Sequence, residues 1–219
     1  MAKSKLKLGL TEEELIFRME HSQAILDFAV LEDTLGRVLL TSSRTMDDGI
    51  AVKTGFFGIQ TFRAKLEFAD RYLRVRYTGP AAVQRWESAR SSCETAATGR
   101  NSLAHWPMTI FPDSMPGMRA VLVPPIQNPR RMLPGHFVNF MLRSQMDGPA
   151  PPESIGIRRI SEIRATARYA IVELYRFEAS VNGQPDPLGN LPHWKAGTLA
   201  TIVAMYRRTV AVKELSEGD

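Results

Sequence analysis

The sequence holds a single cysteine, Cys93, in 219 residues. That excludes an internal disulfide framework and any zinc cluster built on cysteine. Nowhere does the chain approach the roughly 18 to 20 uninterrupted apolar residues that a membrane span requires, so no membrane partner is expected. The start, Met1-Ala2-Lys3-Ser4-Lys5-Leu6-Lys7, is positive, but Leu8-Gly9-Leu10-Thr11-Glu12-Glu13-Glu14 turns acidic where a signal peptide needs an apolar core. The expected location is therefore cytoplasmic and reduced. Four histidines lie scattered with no acidic residue at ligand spacing. The sequence also lacks a phosphate-cradling glycine loop, a Gly-x-Ser-x-Gly elbow, a spaced carboxylate pair, an internal repeat and a low-complexity tract. No metal and no cofactor are expected.

What is present suits a globular chain able to bury a core: 44% apolar and 23% charged residues. The length fits one large domain, or one domain with an appended piece. We read residues 1–10 as a basic tail, 11–182 as a helical bundle interrupted by an insertion at 107–152, and 183–219 as a linker and C-terminal helix. The net charge of +5, with arginine well ahead of lysine, permits contact with RNA or another polyanion without demonstrating it.

The first helix announces itself by a capping box, Thr11 with Glu14, in which hydroxyl and carboxylate satisfy each other's orphan backbone N–H groups. Leu15, Met19, Ile25, Leu26, Ala29, Val30, Leu35, Val38 and Leu39 then recur at helical spacing. The pattern stops at Thr41-Ser42-Ser43, and Asp47-Asp48-Gly49 reads as a loop. A second helix is expected over 55–77, with Phe56, Ile59, Phe62, Leu66, Ala69, Tyr72 and Leu73 inside and Arg63, Lys65, Arg71, Arg74 and Arg76 outside. Pro80 suits the first turn of a third helix, which runs to His105 and is stopped by Trp106-Pro107. Prolines crowd 107–152, where Ala120–Val123 and Phe137–Met141 are expected to pair as a hairpin. A fourth helix starts near Ser154 or Ser161, buries Ile160, Ile163, Ala167, Ala170, Ile171, Leu174 and Phe177, and stops at Asn182-Gly183. A last amphipathic helix is expected over 195–212. The class is mainly α, a bundle of about four to five helices with a proline-rich insertion holding a β-hairpin.

The third helix carries the chemistry. Its apolar stripe, Val83, Trp86, Cys93, Ala97, Leu103 and Ala104, passes through Arg90 and Arg100. Seven residues turn an ideal helix to within about 20° of the start, so Arg100 lies in line with Cys93. A guanidinium there needs a carboxylate, a cleft or an anion, because burying it unpaired is costly. Glu94, Thr98, Asn101 and His105 form a second, polar stripe, with Asn101 and His105 at i and i+4. Arg100 and His105 stand about 140° apart round the helix. Bringing them together takes a bend at Gly99 or a second subunit. Histidine at a helix C-terminus suits proton transfer near neutrality. His, Arg and Asn together suit metal-free cleavage of an RNA backbone: imidazole moves the 2′-hydroxyl or leaving-group proton, and guanidinium neutralises the phosphate.

The helix order, with Leu31-Glu32-Asp33-Thr34-Leu35-Gly36, Phe62-Arg63-Ala64-Lys65, a Trp86-bearing helix, then Arg100-Asn101 and His105 at its end, resembles the HEPN superfamily (higher eukaryotes and prokaryotes nucleotide-binding domain) over about residues 12–105, and more weakly over the helix at 154–182. The resemblance implies a helical bundle, commonly a homodimer whose two motifs face each other across a cleft. It also implies metal-independent endoribonuclease activity on RNA, often in a toxin–antitoxin or phage-defence setting, with an antitoxin as protein partner. Arg100, Asn101 and His105 match the catalytic motif, with Glu94 and Thr98 as supporting residues. The 107–152 stretch departs from a minimal domain of this kind.

A second reading makes the motif structural in a non-enzymatic protein that dimerises or binds a partner or nucleotide. In it Arg100 pairs with Glu94, Glu32 or Asp33 and ties the helix end to its neighbours. His21 reads as a surface or satisfied histidine, His136 as loop and His193 as a packing anchor. Trp86, Phe56 and Phe57 read as core, and the basic face of the second helix as solvated.

Overall fold

The structure, a computed structural model, describes residues 11–111, 114, 117–123 and 153–186. Among these it is mainly helical: α1 (Glu12–Thr41), α2 (Met46–Gly58), α3 (Phe62–Arg76), α4 (Pro80–His105) and α5 (Ile157–Val181), with strands β1 (Met108–Ile110) and β2 (Ala120–Leu122) between α4 and α5. No described helix is long and apolar enough to cross a membrane. The expectations for the tail at 1–10, for 137–141, for His136 and His193 and for the helix at 195–212 lie outside the described residues.

Both ends of α1 follow the local chemistry. Glu14 Oε2 accepts the Thr11 N–H at 2.7 Å and Thr11 Oγ1 accepts the Glu14 N–H at 3.2 Å, the expected capping box. The helix ends at Thr41, where the apolar pattern stops. The residues it buries match the expected set at Leu35, Val38 and Leu39 and differ from it nearer the N-terminus. Phe17, Ala24, Phe28, Leu31, Leu35, Val38 and Leu39 face inward, whereas Met19 and Leu26 are 62% and 57% exposed. Both sets recur at helical spacing, and the aromatic set carries more apolar area to bury.

The stretch read as a loop at 47–49 is the first turn of α2. Thr45 caps it by accepting the Asp48 N–H at 3.1 Å, and Asp47 and Asp48 meet the positive end of the helix dipole. The single helix expected over 55–77 is two helices. Ile59 is extended, and Thr61 restarts the chain as a fresh N-cap, taking the Ala64 N–H on its hydroxyl. Lys65 belongs to the interior, not to the outer face: its Nζ lies 2.5 Å from Glu32 Oε1 and over the Phe56 ring. The described residues add a strand pairing that the sequence did not single out. Val121 pairs with Thr109, antiparallel, so β2 takes its partner from the residues just after α4.

The chain divides into two compact units, residues 1–29 with 96–164 and residues 30–95 with 165–219. The second is built round Trp86, Leu31, Leu35, Phe56, Leu73, Ile171 and Phe177, with the Trp86 and Phe177 rings 5.5 Å apart. Cys93 is buried there, and burial pushes its thiol up to about 12, so it remains protonated and inert. Asp70 accepts from Trp86 Nε1 and Arg74 Nε, both at 2.8 Å, and from Arg90 Nη1 at 3.0 Å.

The first unit holds the end of α4. Its core includes Phe17, Ala24, Phe28, Leu103, Phe111, Val121, Leu122, Ile160 and Ile163. Leu122 and Ile155 exchange backbone hydrogen bonds at 3.0 and 2.8 Å, placing the start of α5 beside β2. Glu13 Oε1 accepts the N–H groups of Gly117 and Arg119 at 3.0 and 3.1 Å, so the first turn of α1 holds the hairpin loop. Gly99 lies inside continuous helix and serves close packing: a Cβ there would stand 2.6 Å from Ile163 Cγ2.

Two outcomes are expected. Gly99→Ala should lower stability by about 1–3 kcal/mol through overpacking, although helix propensity alone favours alanine by about 1 kcal/mol. Denaturant midpoints give the sign, and Ile163→Ala in the same chain should reduce the loss. For Asp70, burial alone would raise the carboxyl, but hydrogen bonds from Trp86 and Arg74, with Arg90 beside it, hold it below its ordinary 3.8. A carboxyl lowered by folding stabilises the fold above its unfolded value and loses that contribution as pH falls through the folded one. Asp70→Asn should therefore flatten the acid side of the stability profile below about pH 4, read by denaturant midpoints taken across that range.

Candidate functional site at the end of helix α4

Helix α4 ends where the sequence places its stop. Trp106 N–H still reaches Ser102 O at 3.1 Å, but the next donor is missing, because residue 107 is proline. His105 is the last helical residue and is exposed, with Asn101 exposed one turn before it on the same polar face. Arg100, on the stripe of Cys93, is half-buried. The helix is continuous through Gly99, so the bend that would carry Arg100 toward His105 is absent. No hydrogen bond joins Arg100, Asn101 and His105 to one another among the described residues. Asn101 and His105 thus share a face, while Arg100 stands to one side.

The arginines show what half-burial ordinarily entails. Arg37 lies 3.1 Å from Glu178, Arg76 donates to Ser42 O at 3.0 Å, and Arg90 meets Asp70 at 3.0 Å and Glu94 at 3.0 Å. Arg164 donates to Asp27 at 3.1 Å and also to Glu20, and Arg176 reaches Glu173 at 2.8 Å. Arg168 also has a partner. Arg100 is the half-buried arginine with no hydrogen-bond acceptor and no carboxylate among the described residues. Two of the acids that a purely structural role would assign to it are engaged elsewhere: Glu94 with Arg90, and Glu32 with Lys65. Thr98 is exposed on the same face as Asn101.

One residue near this helix end is more specific than the sequence revealed. Half-buried His21, on α1, has its Nε2 2.8 Å from Leu103 O. A carbonyl can only accept, so Nε2 carries the hydrogen and donates it. The signal in sequence was Pro107, whose missing N–H leaves the Leu103 carbonyl unserved. Nothing local could say that the donor comes from 82 residues away.

Among the described residues no cluster of three or more His, Cys, Asp or Glu could hold a metal ion. The chemistry available at the helix end is that of an exposed imidazole, an amide and a guanidinium with no acid beside it among the described residues. No protein-family model, curated protein or solved structure matches the chain.

The ion pairs separate two kinds of arginine by experiment. Arg164→Ala strands Asp27 and Glu20 and should cost about 3 kcal/mol. Arg100→Ala breaks no recorded pair and should move the melting temperature little, as typical surface changes do, within about 0.5 kcal/mol. A large loss of stability in Arg100→Ala would assign that side chain a structural role.

Proposed function

We propose that the end of α4 is an RNA-cleaving site, with Arg100 holding phosphate, His105 acting as general acid or base, and Asn101 orienting the imidazole or a phosphate oxygen. The observation that carries this reading is Arg100 itself, half-buried and without an anionic partner among the described residues. A guanidinium kept partly out of water is well disposed toward a phosphodiester, which it can meet with two parallel hydrogen bonds. His105 is exposed at a helix C-terminus, where substrate can reach it. The residue types match those of the HEPN motif, to which the helix order is also similar.

Cleavage in this scheme needs no metal. An unprotonated imidazole takes the ribose 2′-hydroxyl proton, the 2′-oxygen attacks phosphorus as the P–O5′ bond breaks, and the 5′-oxygen takes a proton from the imidazolium so formed or from water, giving a cyclic phosphate end and a free hydroxyl. Arg100 neutralises the charge that builds on the non-bridging oxygens. Because Arg100 and His105 belong to different faces of one α4, the scheme places a second copy of the chain opposite. Its Arg100 then faces the His105 of the first across a shared cleft.

The purified full chain should cleave single-stranded RNA in EDTA. His105→Ala and Arg100→Ala should each lower the rate by about 10²-fold or more. Absence of cleavage by wild type across varied RNAs, with both variants folded, would end this reading.

A further inference from the structure

Helix α4 has a built-in defect next to its proposed catalytic residues. In an α-helix the carbonyl of residue i accepts from the N–H of residue i+4, so Leu103 O would be served by residue 107. That residue is proline and has no N–H. Leu103 is buried, so its carbonyl sits where an unpaired polar group is costly. His21 fills the gap from another helix, with Nε2 at 2.8 Å. We propose that His21 is a positioning residue for the α4 terminus: its Nε2–H replaces the donor that Pro107 lacks and holds the turn on which Arg100, Asn101 and His105 stand.

Its setting makes His21 a suitable strut. On α1 its inward neighbours are Phe17, Ala24 and Phe28, all buried, so its backbone is fixed by packing. The same stretch of α1 is anchored on two further sides. Glu20 and Asp27 hold Arg164 of α5, and Glu13 holds the loop N–H groups of Gly117 and Arg119. The imidazole therefore reaches the carbonyl from a rigid base. The bond asks only for a donor at Nε2, which neutral imidazole with its hydrogen on Nε2 and imidazolium both supply. Glutamine, whose amide nitrogen lies at a similar reach, can supply it too, and alanine cannot.

The consequence for catalysis rests on the ribonuclease reading above, and the test separates the two. Amide hydrogen exchange in the full chain reports the helix end without any substrate. His21→Ala should speed exchange at Trp106, whose N–H closes the last turn, by about tenfold, the equivalent of one lost hydrogen bond. Exchange at Ala89 and Cys93, farther up α4, should be unchanged, and His21→Gln should restore protection at Trp106. If wild type cleaves RNA, His21→Ala should lower kcat by about tenfold with KM little changed, and His21→Gln should recover most of it. Unaltered exchange in His21→Ala overturns the proposal. So does faster exchange with full kcat, since the turn would then not govern the chemistry. If wild type cleaves nothing, the ribonuclease reading fails alone, and the exchange arm still decides whether His21 holds the turn.

Discussion

Charge taken out of water must meet charge or a hydrogen bond, and that constraint organises the described structure more than any single apolar contact. In the unit made of residues 30–95 and 165–219, α5 carries Glu173 and Glu178 into the interior. Glu178 meets Arg37 and the Thr41 hydroxyl of α1, and Glu173 meets Ser88 of α4 and Arg176 of its own helix. Asp70 gathers Trp86, Arg74 and Arg90. Each group fixes helices in register, because a shift of one turn would strand a buried charge at a cost of several kcal/mol, of order 3–5. The unit containing the site obeys the same rule through Arg164 with Asp27 and Glu20.

Against that background Arg100 is informative. The described residues supply acceptors for the other half-buried arginines and none for this one, at the end of a helix whose last residue is an exposed histidine. Its position on the apolar stripe follows from helix geometry alone, and so does its separation from His105. The helix does not bend at Gly99, whose lack of a side chain lets Ile163 approach. A catalytic arrangement therefore draws its convergence from outside one α4.

Much of the helical frame was legible. The capping box of α1, the limits of α4 and the apolar positions of α5 from Ile160 to Phe177 named from the sequence, all of them buried, are set by local chemistry or by one repeating period, which a sequence displays directly. The misreadings have equally physical causes. Asp47-Asp48-Gly49 satisfies a loop and a helical first turn alike, and only Thr45 before it distinguishes them. The break at 59–61 is hidden because Phe56, Ile59, Phe62 and Leu66 keep helical spacing across it. Lys65 looked like part of a solvated face because its carboxylate lies 33 residues earlier. Of the site, the residue types and the helix end could be read, but not the acid that Arg100 lacks, nor the histidine that serves Leu103. Both depend on which distant segment lies alongside, and periodicity carries no such information.

The contacts of α1 bear on time as well as on structure. Glu20 and Asp27 bond to Arg164, 144 and 137 residues later, and Thr41 bonds to Glu178, 137 residues later. These side chains of α1 therefore wait 137 to 144 residues of synthesis for their partners on α5. At about 5–20 residues per second the interval is roughly 7 to 30 s. Through that interval Glu20 and Asp27 have no Arg164 to meet them. Long-range closure of this kind slows folding and leaves apolar surface open to association. The pairing of α1 with α5 thus waits on closure across at least 137 residues of chain.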